Sequence, residues 1–160
     1  MSLDEYQKKR DFNKTPEPKA EEKINSSNRF VIQEHHATNL HYDFRLEDMD
    51  ESGEIVVLKS WAVPKNIPEE SGIKRLGIRT EDHPVDYIDF EGEIPEGEYG
   101  GGIVKIWDNG EWKLLKGSSG EGSMIINLNG NKIKGDYVMI KTKGYGTKAK
   151  SENNWLIWKK

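Results

Sequence analysis

Hydrophobic and polar residues alternate most regularly in the stretch 40–47. In a β-strand, successive side chains point to opposite faces of the sheet. One face of this stretch would carry Leu40, Tyr42, Phe44 and Leu46, and the other His41, Asp43, Arg45 and Glu47. The preceding stretch, 29–35, is apolar and β-branched enough to be the partner strand, with 37–39 as the connection. The pattern therefore predicts a hairpin that carries His35 or His36 back towards His41.

Most of the remaining chain also has strand-like patterning. Strands are predicted over 55–63 and 73–79, and a β-meander from 103 onwards that ends in a strand at 154–159. Hairpin turns are predicted at Asp108-Asn109-Gly110 and at Asn129-Gly130, and a polar loop at 144–153. The pattern gives about eight to ten strands and no long helix, which is typical of a mainly β fold, either a barrel or a sandwich.

The first 28 residues differ from the rest because they are polar, highly charged and contain T-P-E-P. This composition predicts a solvated N-terminal arm, 1–28, with one short helical turn before Pro16. The segment 29–160 is expected to form a single domain.

The composition of the chain excludes several kinds of functional site and several classes of protein. The absence of cysteine excludes disulfides, thiolate metal sites and a cysteine nucleophile. No apolar run approaches the length of a membrane span, and the N-terminus lacks the apolar core of a signal peptide, so we expect a cytoplasmic protein without a membrane partner. The net charge of −4 is unlike that of most nucleic-acid-binding proteins. A nucleic-acid partner is therefore expected to be held at a small local patch, such as a strand end.

The polar face of the 40–47 strand suits a metal ion. His41 and Asp43 are expected about 6.5–7 Å apart along one face. With His35 from across the turn they would form a His-His-Asp set that leaves coordination positions open for substrate. Two imidazoles and one carboxylate suit zinc, iron or manganese better than calcium.

Four motifs carry a resemblance to a known family. They are E-H-H-A-T-N-L-H-Y-D-F-R-L-E, K-S-W-A-V-P-K, E-D-H-P-V-D-Y and F-E-G-E-I-P-E-G-E-Y-G-G-G, in that order. Together they resemble the 3′-phosphoesterase domain of bacterial DNA ligase D, a pattern that small free-standing archaeal relatives share. The resemblance extends from Tyr6 to Lys160. It implies a compact antiparallel β-barrel with few short helices and an N-terminal arm that packs over the site.

The resemblance also implies a function. It indicates an Mn²⁺-dependent enzyme, with other divalent transition metals as alternatives, that removes a 3′-terminal ribonucleoside and then the remaining 3′-phosphate during DNA repair. The expected metal ligands are His35, His41 and Asp43, and the expected catalytic residues are Arg45, His83 and Tyr87. The expected substrate-binding residues are Gln33, Lys65 and Arg75, with Arg10, Asp11 and Glu17 from the arm. Separate polymerase, ligase and end-binding proteins are expected partners of a monomer.

Two other function classes remain open on the sequence. His41, Asp43 and His83 could instead form the facial triad of a non-haem iron oxygenase. The second histidine ligand distinguishes the two enzyme classes, because His35 as a ligand favours the phosphoesterase and His83 favours the oxygenase. The chain could also be a non-catalytic nucleic-acid-binding module that uses exposed aromatic and basic side chains, although its acidic charge counts against this.

Overall fold

The structure is a computed structural model, and it describes residues 3–142 and 153–160. These residues form one short α-helix, a 3-10 helix and nine strands. The helices are α1 (Asp4–Lys8) and the 3-10 helix Val85–Asp89. The strands are β1 (Arg29–His36), β2 (Leu40–Met49), β3 (Val56–Val63), β4 (Lys74–His83), β5 (Gly92–Ile94), β6 (Gly102–Ser118), β7 (Ser123–Gly130), β8 (Lys134–Lys141) and β9 (Asn154–Lys159).

The strands form a closed antiparallel β-barrel. Neighbouring strands follow the order β1-β2-β3-β4-β9-β8-β7-β6, and β6 pairs back onto β1 to close the ring of eight. β5 adds to the edge of β6 outside the ring. The expected mainly β barrel is confirmed. No helix within 3–142 or 153–160 is long and apolar enough to cross a membrane.

The alternation in β2 is confirmed and separates two apolar clusters. Phe44 and Leu46 point into the barrel, where they pack with residues such as Trp61 and Trp155. The second cluster, which includes Tyr6, Val31 and Tyr87, lies on the outer face of the same sheet region. The arm and the segment around the 3-10 helix therefore cover the outer face of this part of the sheet.

The arm packs against the barrel through α1. Tyr6 is fully buried, and its hydroxyl donates a hydrogen bond to the carbonyl oxygen of Pro18. The helix therefore lies before Pro16, as predicted, and the arm doubles back over itself. This packing positions the residues that follow α1 beside the polar face of β1 and β2.

The predicted hairpin turn at Asp108-Asn109-Gly110 is wrong, because β6 runs through it without interruption. The carboxylate of Asp108 accepts backbone N–H groups of Asn131, Lys132 and Ile133, at 2.8, 3.0 and 2.8 Å. A side chain at Gly110 would meet the backbone of β7, with its Cβ 2.1 Å from a carbonyl oxygen. These residues therefore make contacts between strands and do not form a turn. The predicted turn at Asn129-Gly130 does lie at the end of β7, just before β8 begins.

Asp108 is expected to be important for stability. Asp108→Ala leaves three backbone N–H groups near the β7–β8 connection without their acceptor, and we expect a loss on the order of 3 kcal/mol in the free energy of unfolding. Urea denaturation measures it. Glu111→Ala, an exposed change in the same strand, is the control and should alter stability by less than about 0.5 kcal/mol. Equal effects of both changes would contradict the structural role of Asp108.

Candidate functional site

The predicted hairpin brings the three proposed metal ligands together. His35 and His41 are directly paired across β1 and β2, and Asp43 follows two residues later on the same face. One ligand atom from each of the three residues lies within 4.8 Å of the others. Because all three come from two hydrogen-bonded strands, their spacing is set by the sheet.

The hydrogen bonds of the two imidazoles leave one nitrogen of each directed at Asp43. His35 Nε2 lies 2.6 Å from the carbonyl oxygen of Gly100, and His41 Nδ1 lies 3.2 Å from that of Asn39. Both nitrogens must therefore carry the proton. The other nitrogens, His35 Nδ1 and His41 Nε2, each lie 3.2 Å from a carboxylate oxygen of Asp43. In neutral imidazoles these are lone pairs, so three acceptors converge on one point and could bind a metal ion.

Electrostatics at Asp43 also favours a cation. Burial raises the pKa of Asp43, but the Arg45 guanidinium and the two imidazoles outweigh it and hold the pKa far below its usual range. Burial lowers the pKa of His41, yet the hydrogen bond and charge of Asp43 outweigh burial and raise it. The carboxylate therefore stays ionised and attracts positive charge to this point, as a proton or as a metal ion.

Arg45 is fixed beside this group by two hydrogen bonds and an ion pair, which together involve all three of its nitrogens. Nε donates to Gln33 Oε1 at 2.7 Å, and one terminal nitrogen donates to Ser60 Oγ at 2.9 Å. The other terminal nitrogen lies 3.4 Å from Asp43. A guanidinium has five N–H donors, so two are left for a ligand in the adjoining cavity. Gln33 is fully buried and also donates to the carbonyl oxygens of Tyr87 and Phe90. It is therefore held in a position that orients Arg45, and it does not line the cavity.

A cavity of about 300 Å³ connects the metal-ligand group with residues from the arm and from β4. The predicted site residues that line it are Arg10, His35, His41, Asp43, Arg45, His83 and Tyr87. Side chains separated by up to 77 positions in the chain thus face one space. The sheet pairing supplies four of them, and tertiary packing supplies Arg10, His83 and Tyr87.

His83 is buried and held in one tautomer. Its Nδ1 lies 2.9 Å from the carbonyl oxygen of Glu81, so Nδ1 carries the proton. Its Nε2 lies 3.4 Å from Arg10. Burial, together with the charges of Arg45 and Arg10, lowers the pKa of His83 well below its ordinary value. The imidazole is therefore neutral at neutral pH, with the Nε2 lone pair on the cavity side.

Glu17 fastens the arm over the cavity. Its carboxylate is buried and accepts hydrogen bonds from Tyr87 Oη at 2.6 Å, Arg10 Nε at 2.9 Å and Thr15 Oγ1 at 2.9 Å. Burial, more than the charges around it, raises the pKa of Tyr87 well above its usual value, so its hydroxyl stays protonated and donates to Glu17. Glu17 is thus fully engaged within the protein.

Five of the six predicted substrate-binding residues do not line this cavity, and Arg10 is the exception. Gln33 and Glu17 support its lining residues through the hydrogen bonds described above. Asp11 is exposed, and its carboxylate accepts the backbone N–H of Asn13. Lys65 and Arg75 line a different cavity of about 330 Å³. The guanidinium of Arg75 donates to the backbone carbonyl oxygens of Lys65 and Asn66, so it supports the turn after β3.

Glu81 is a further candidate site residue, which was not predicted from the sequence. Its carboxylate is buried, lines the cavity and lies 3.2 Å from Lys9 Nζ and 3.5 Å from Arg10. The carboxylate therefore anchors two cations of the arm. A signal was present, since Glu81 belongs to the E-D-H-P motif that points to His83, but its cationic partners lie more than 70 positions away.

Comparison with known proteins identifies the family. The model of the DNA ligase D 3′-phosphoesterase domain matches residues 33–141. The chain belongs to this family. The match includes residues 33–36 of β1 with His35, all of β2 with His41 and Asp43, β4 with His83, and the glycine-rich segment after the 3-10 helix.

The chain is also similar to curated bacterial proteins. It is 49% identical over 146 residues to the multifunctional non-homologous end joining DNA repair protein LigD of Mycobacterium tuberculosis, covering 89% of this chain. It is 44% identical over 165 residues to LigD of Mycolicibacterium smegmatis and 42% identical over 163 residues to LigD of Pseudomonas aeruginosa, covering 96% and 98% of this chain. The chain spans only 18–20% of the length of these relatives. Membership of a 3′-phosphoesterase family implies a hydrolase.

Proposed function

We propose that the chain is a metal-dependent 3′-phosphoesterase that binds the 3′ end of a nucleic-acid strand and works in DNA end repair. The observation that carries this proposal is the shared cavity, where a His-His-Asp group faces two guanidiniums and a neutral histidine. Such a cavity matches a phosphate ester with a cation on one side and Arg donors on the other. The facial triad of the iron oxygenase has less support, because His83 is outside the metal-ligand group found among the described residues.

The metal ligands are His35, His41 and Asp43, and Mn²⁺ is the expected ion. The donor set fits, because each imidazole gives one N–H to a backbone carbonyl and turns its other nitrogen to the carboxylate. When bound, the ion would polarise a phosphoryl oxygen and lower the pKa of a bound water. Other divalent transition metals suit the same ligands.

Arg45 and His83 bind the phosphate in this proposal. The two remaining N–H donors of Arg45 suit a bidentate contact with non-bridging oxygens. An arriving phosphate brings negative charge to His83, which offsets the effect of the two nearby guanidiniums and favours proton uptake at Nε2. His83 then donates a hydrogen bond to a phosphate oxygen, while Tyr87 keeps Arg10 and the arm in place through Glu17.

The proposed reaction has two parts. A terminal ribonucleoside is removed and leaves a 3′-phosphate, and hydrolysis of that phosphate leaves a 3′-hydroxyl. Polymerases and ligases can use this end, so separate polymerase, ligase and end-binding proteins are the expected partners. Because the cavity is small and the chain is acidic overall, we expect action at strand termini and little cutting within a strand.

End-labelled primers test this function. The substrates are a primer–template that ends in a pair of ribonucleotides, one with a plain 3′-phosphate and an all-DNA strand with a 3′-hydroxyl. We expect product from the first two with Mn²⁺, none after chelation, and no internal cleavage of the third. Tight binding of all three without metal-dependent turnover would favour the non-catalytic binding module instead.

Arg10 is expected to matter more for the diester than for the monoester. The larger substrate needs more positioning contacts, and Arg10 reaches the cavity from the arm. Arg10→Ala should lower diester cleavage by at least about tenfold more than it lowers release of a 3′-phosphate. Rates on the two labelled primers give this ratio, and a melting curve checks the fold.

Lys14→Ala is the control for this change, because Lys14 is an exposed residue of the same arm. It should leave both rates unchanged. Equal losses on the two substrates after Arg10→Ala would remove the selective role of the arm.

A further inference from the structure

A second, larger cavity opens beside the proposed active site. It measures about 700 Å³, within the usual range for small-ligand sites, and lies between the β1–β2 connection and the glycine-rich segment 93–102. His41, Ile94 and Gly100 line both cavities. A group bound at the metal-ligand residues would therefore extend directly into the larger space.

The two cavities differ in charge. In the smaller one, the guanidiniums of Arg10 and Arg45 balance the carboxylates of Asp43 and Glu81. The larger one is lined by three glutamates, and its described lining residues include no lysine or arginine. The glutamates are Glu93, Glu96 and Glu98. A phosphate group would be repelled from the larger cavity, whereas an uncharged group rich in hydroxyl and amino donors would find acceptors there.

One side of the larger cavity is rich in glycine, with Gly97, Gly100, Gly101 and Gly102 among its lining residues. Two successive turns, closed by hydrogen bonds from Glu98 to Pro95 and from Gly101 to Glu98, form one side. Gly97 faces open space, and Gly102 has no room for a side chain because its Cβ would lie 2.1 Å from the carbonyl oxygen of His36. Bare backbone lets a flat ring approach closely and offers carbonyl oxygens for hydrogen bonds. This wall suits a nucleobase or a sugar better than an extended charged chain.

We propose that the larger cavity, here called the nucleoside cavity, binds the 3′-terminal nucleoside that leaves in the diester step. The proposal rests on the proposed function and specifies its leaving group. The two sides of the scissile phosphate differ in charge, since the strand on the 5′ side carries further phosphates and the terminal nucleoside carries none. Only the terminal nucleoside therefore fits an acidic cavity.

The chemistry balances with water as the only co-reactant. Water attacks phosphorus, and the bond from phosphorus to the 5′-oxygen of the terminal nucleoside breaks. That oxygen takes up a proton, so a free nucleoside leaves with a 5′-hydroxyl and the strand keeps a 3′-phosphate. During hydrolysis of that phosphate the nucleoside cavity is empty, so its glutamates should affect the second reaction far less than the first. The glutamates also explain end selection, because a strand that continued past the scissile phosphate would place its next phosphate among them.

A pair of modified primers tests the proposal. Each ends in the same ribonucleoside, with either a neutral carbamoylmethyl or an anionic carboxymethyl ether on its 3′-oxygen. The wild-type protein should cleave the neutral primer at least about tenfold faster. In a Glu93→Lys, Glu96→Lys, Glu98→Lys variant this preference should disappear or reverse, while hydrolysis of a plain 3′-phosphate should change by at most about threefold.

A second triple variant controls for overall charge. Glu54→Lys, Glu111→Lys and Glu121→Lys make the same change in net charge at exposed positions away from both cavities. This variant should keep the wild-type preference. An unchanged preference in the cavity variant, or an equal loss of diester and monoester cleavage, would overturn the proposal. The triple glutamine variant of the cavity gives a milder change, expected to weaken the preference, should the lysine variant fail to fold.

Binding without turnover separates this proposal from the proposed function. Adenosine should shift the backbone amide resonances of Gly97 and Gly101 in the NMR spectrum of the wild-type protein, and adenosine 3′-monophosphate should shift them at least about tenfold less at equal concentration. Shifts caused by Mg²⁺ but not by adenosine would assign the glutamates to a cation and overturn the proposal. A protein that binds adenosine there but hydrolyses none of the primers would disprove the phosphoesterase function alone.

Discussion

His41→Ala is expected to abolish Mn²⁺-dependent turnover and to weaken Mn²⁺ binding by at least about 100-fold. The reason is that the metal-ligand group within residues 3–142 and 153–160 has three protein ligands, and even partners that merely orient such ligands contribute about 10–100-fold. Removing the imidazole also leaves the buried Asp43 with one partner fewer. Titration calorimetry measures the affinity, and the labelled primers measure turnover.

His36→Ala is the matched control for this prediction. His36 is the neighbouring histidine of β1, but it is exposed and lies 3.4 Å from Glu34, away from the metal-ligand group. It should keep both affinity and rate within about twofold, as expected for a surface change. If His41→Ala binds Mn²⁺ as tightly as wild type and keeps full turnover, the assignment of the metal ligands is wrong.

Arg45→Ala is expected to lower turnover by about 10²- to 10³-fold on both the diester and the monoester, because it removes phosphate donors that act in the transition state. Arg45→Lys should recover only part of the rate. A lysine cannot reproduce the simultaneous contacts that Arg45 makes with Gln33 and Ser60 while it faces the cavity. Steady-state rates on both primers measure the effect.

Arg29→Ala is the control for the arginine variants. Arg29 also binds a carboxylate, that of Glu47, but from outside the cavity. Its removal should leave turnover near the wild-type level.

Wild-type turnover in Arg45→Ala would show that Arg45 only supports the fold. A full rescue by lysine would argue against a bidentate contact.

The proposed metal ligands were predictable from local sequence because they depend on two neighbouring strands. Alternation in β2 puts His41, Asp43 and Arg45 on one face, and a short connection necessarily pairs β1 with β2. His35 then lies opposite His41. The family resemblance is confirmed by the matched domain model and by the relatives at 42–49% identity.

The roles of single polar residues were harder to predict. Arg75 and Arg45 look alike in the sequence, as arginines on strand faces. In the structure, Arg75 supports a turn, whereas Arg45 lines the cavity beside the metal-ligand group. Similarly, Asp108-Asn109-Gly110 has the composition of a turn, but its carboxylate binds the backbone of another connection. The structural role of such a short polar motif depends on which backbone groups lie nearby. Those groups come from distant parts of the chain.

The sequence by itself determined the mainly β class, the two faces of β2 and the return of His35 or His36 towards His41. These features follow from strand alternation and pairing between neighbours. Only the tertiary structure decided that Glu17 and Glu81 hold the arm over the polar face and that an acidic cavity adjoins it. Those contacts join residues about 70 positions apart, and they form because the closed barrel and the apolar packing around Tyr6 and Tyr87 bring the arm to that face.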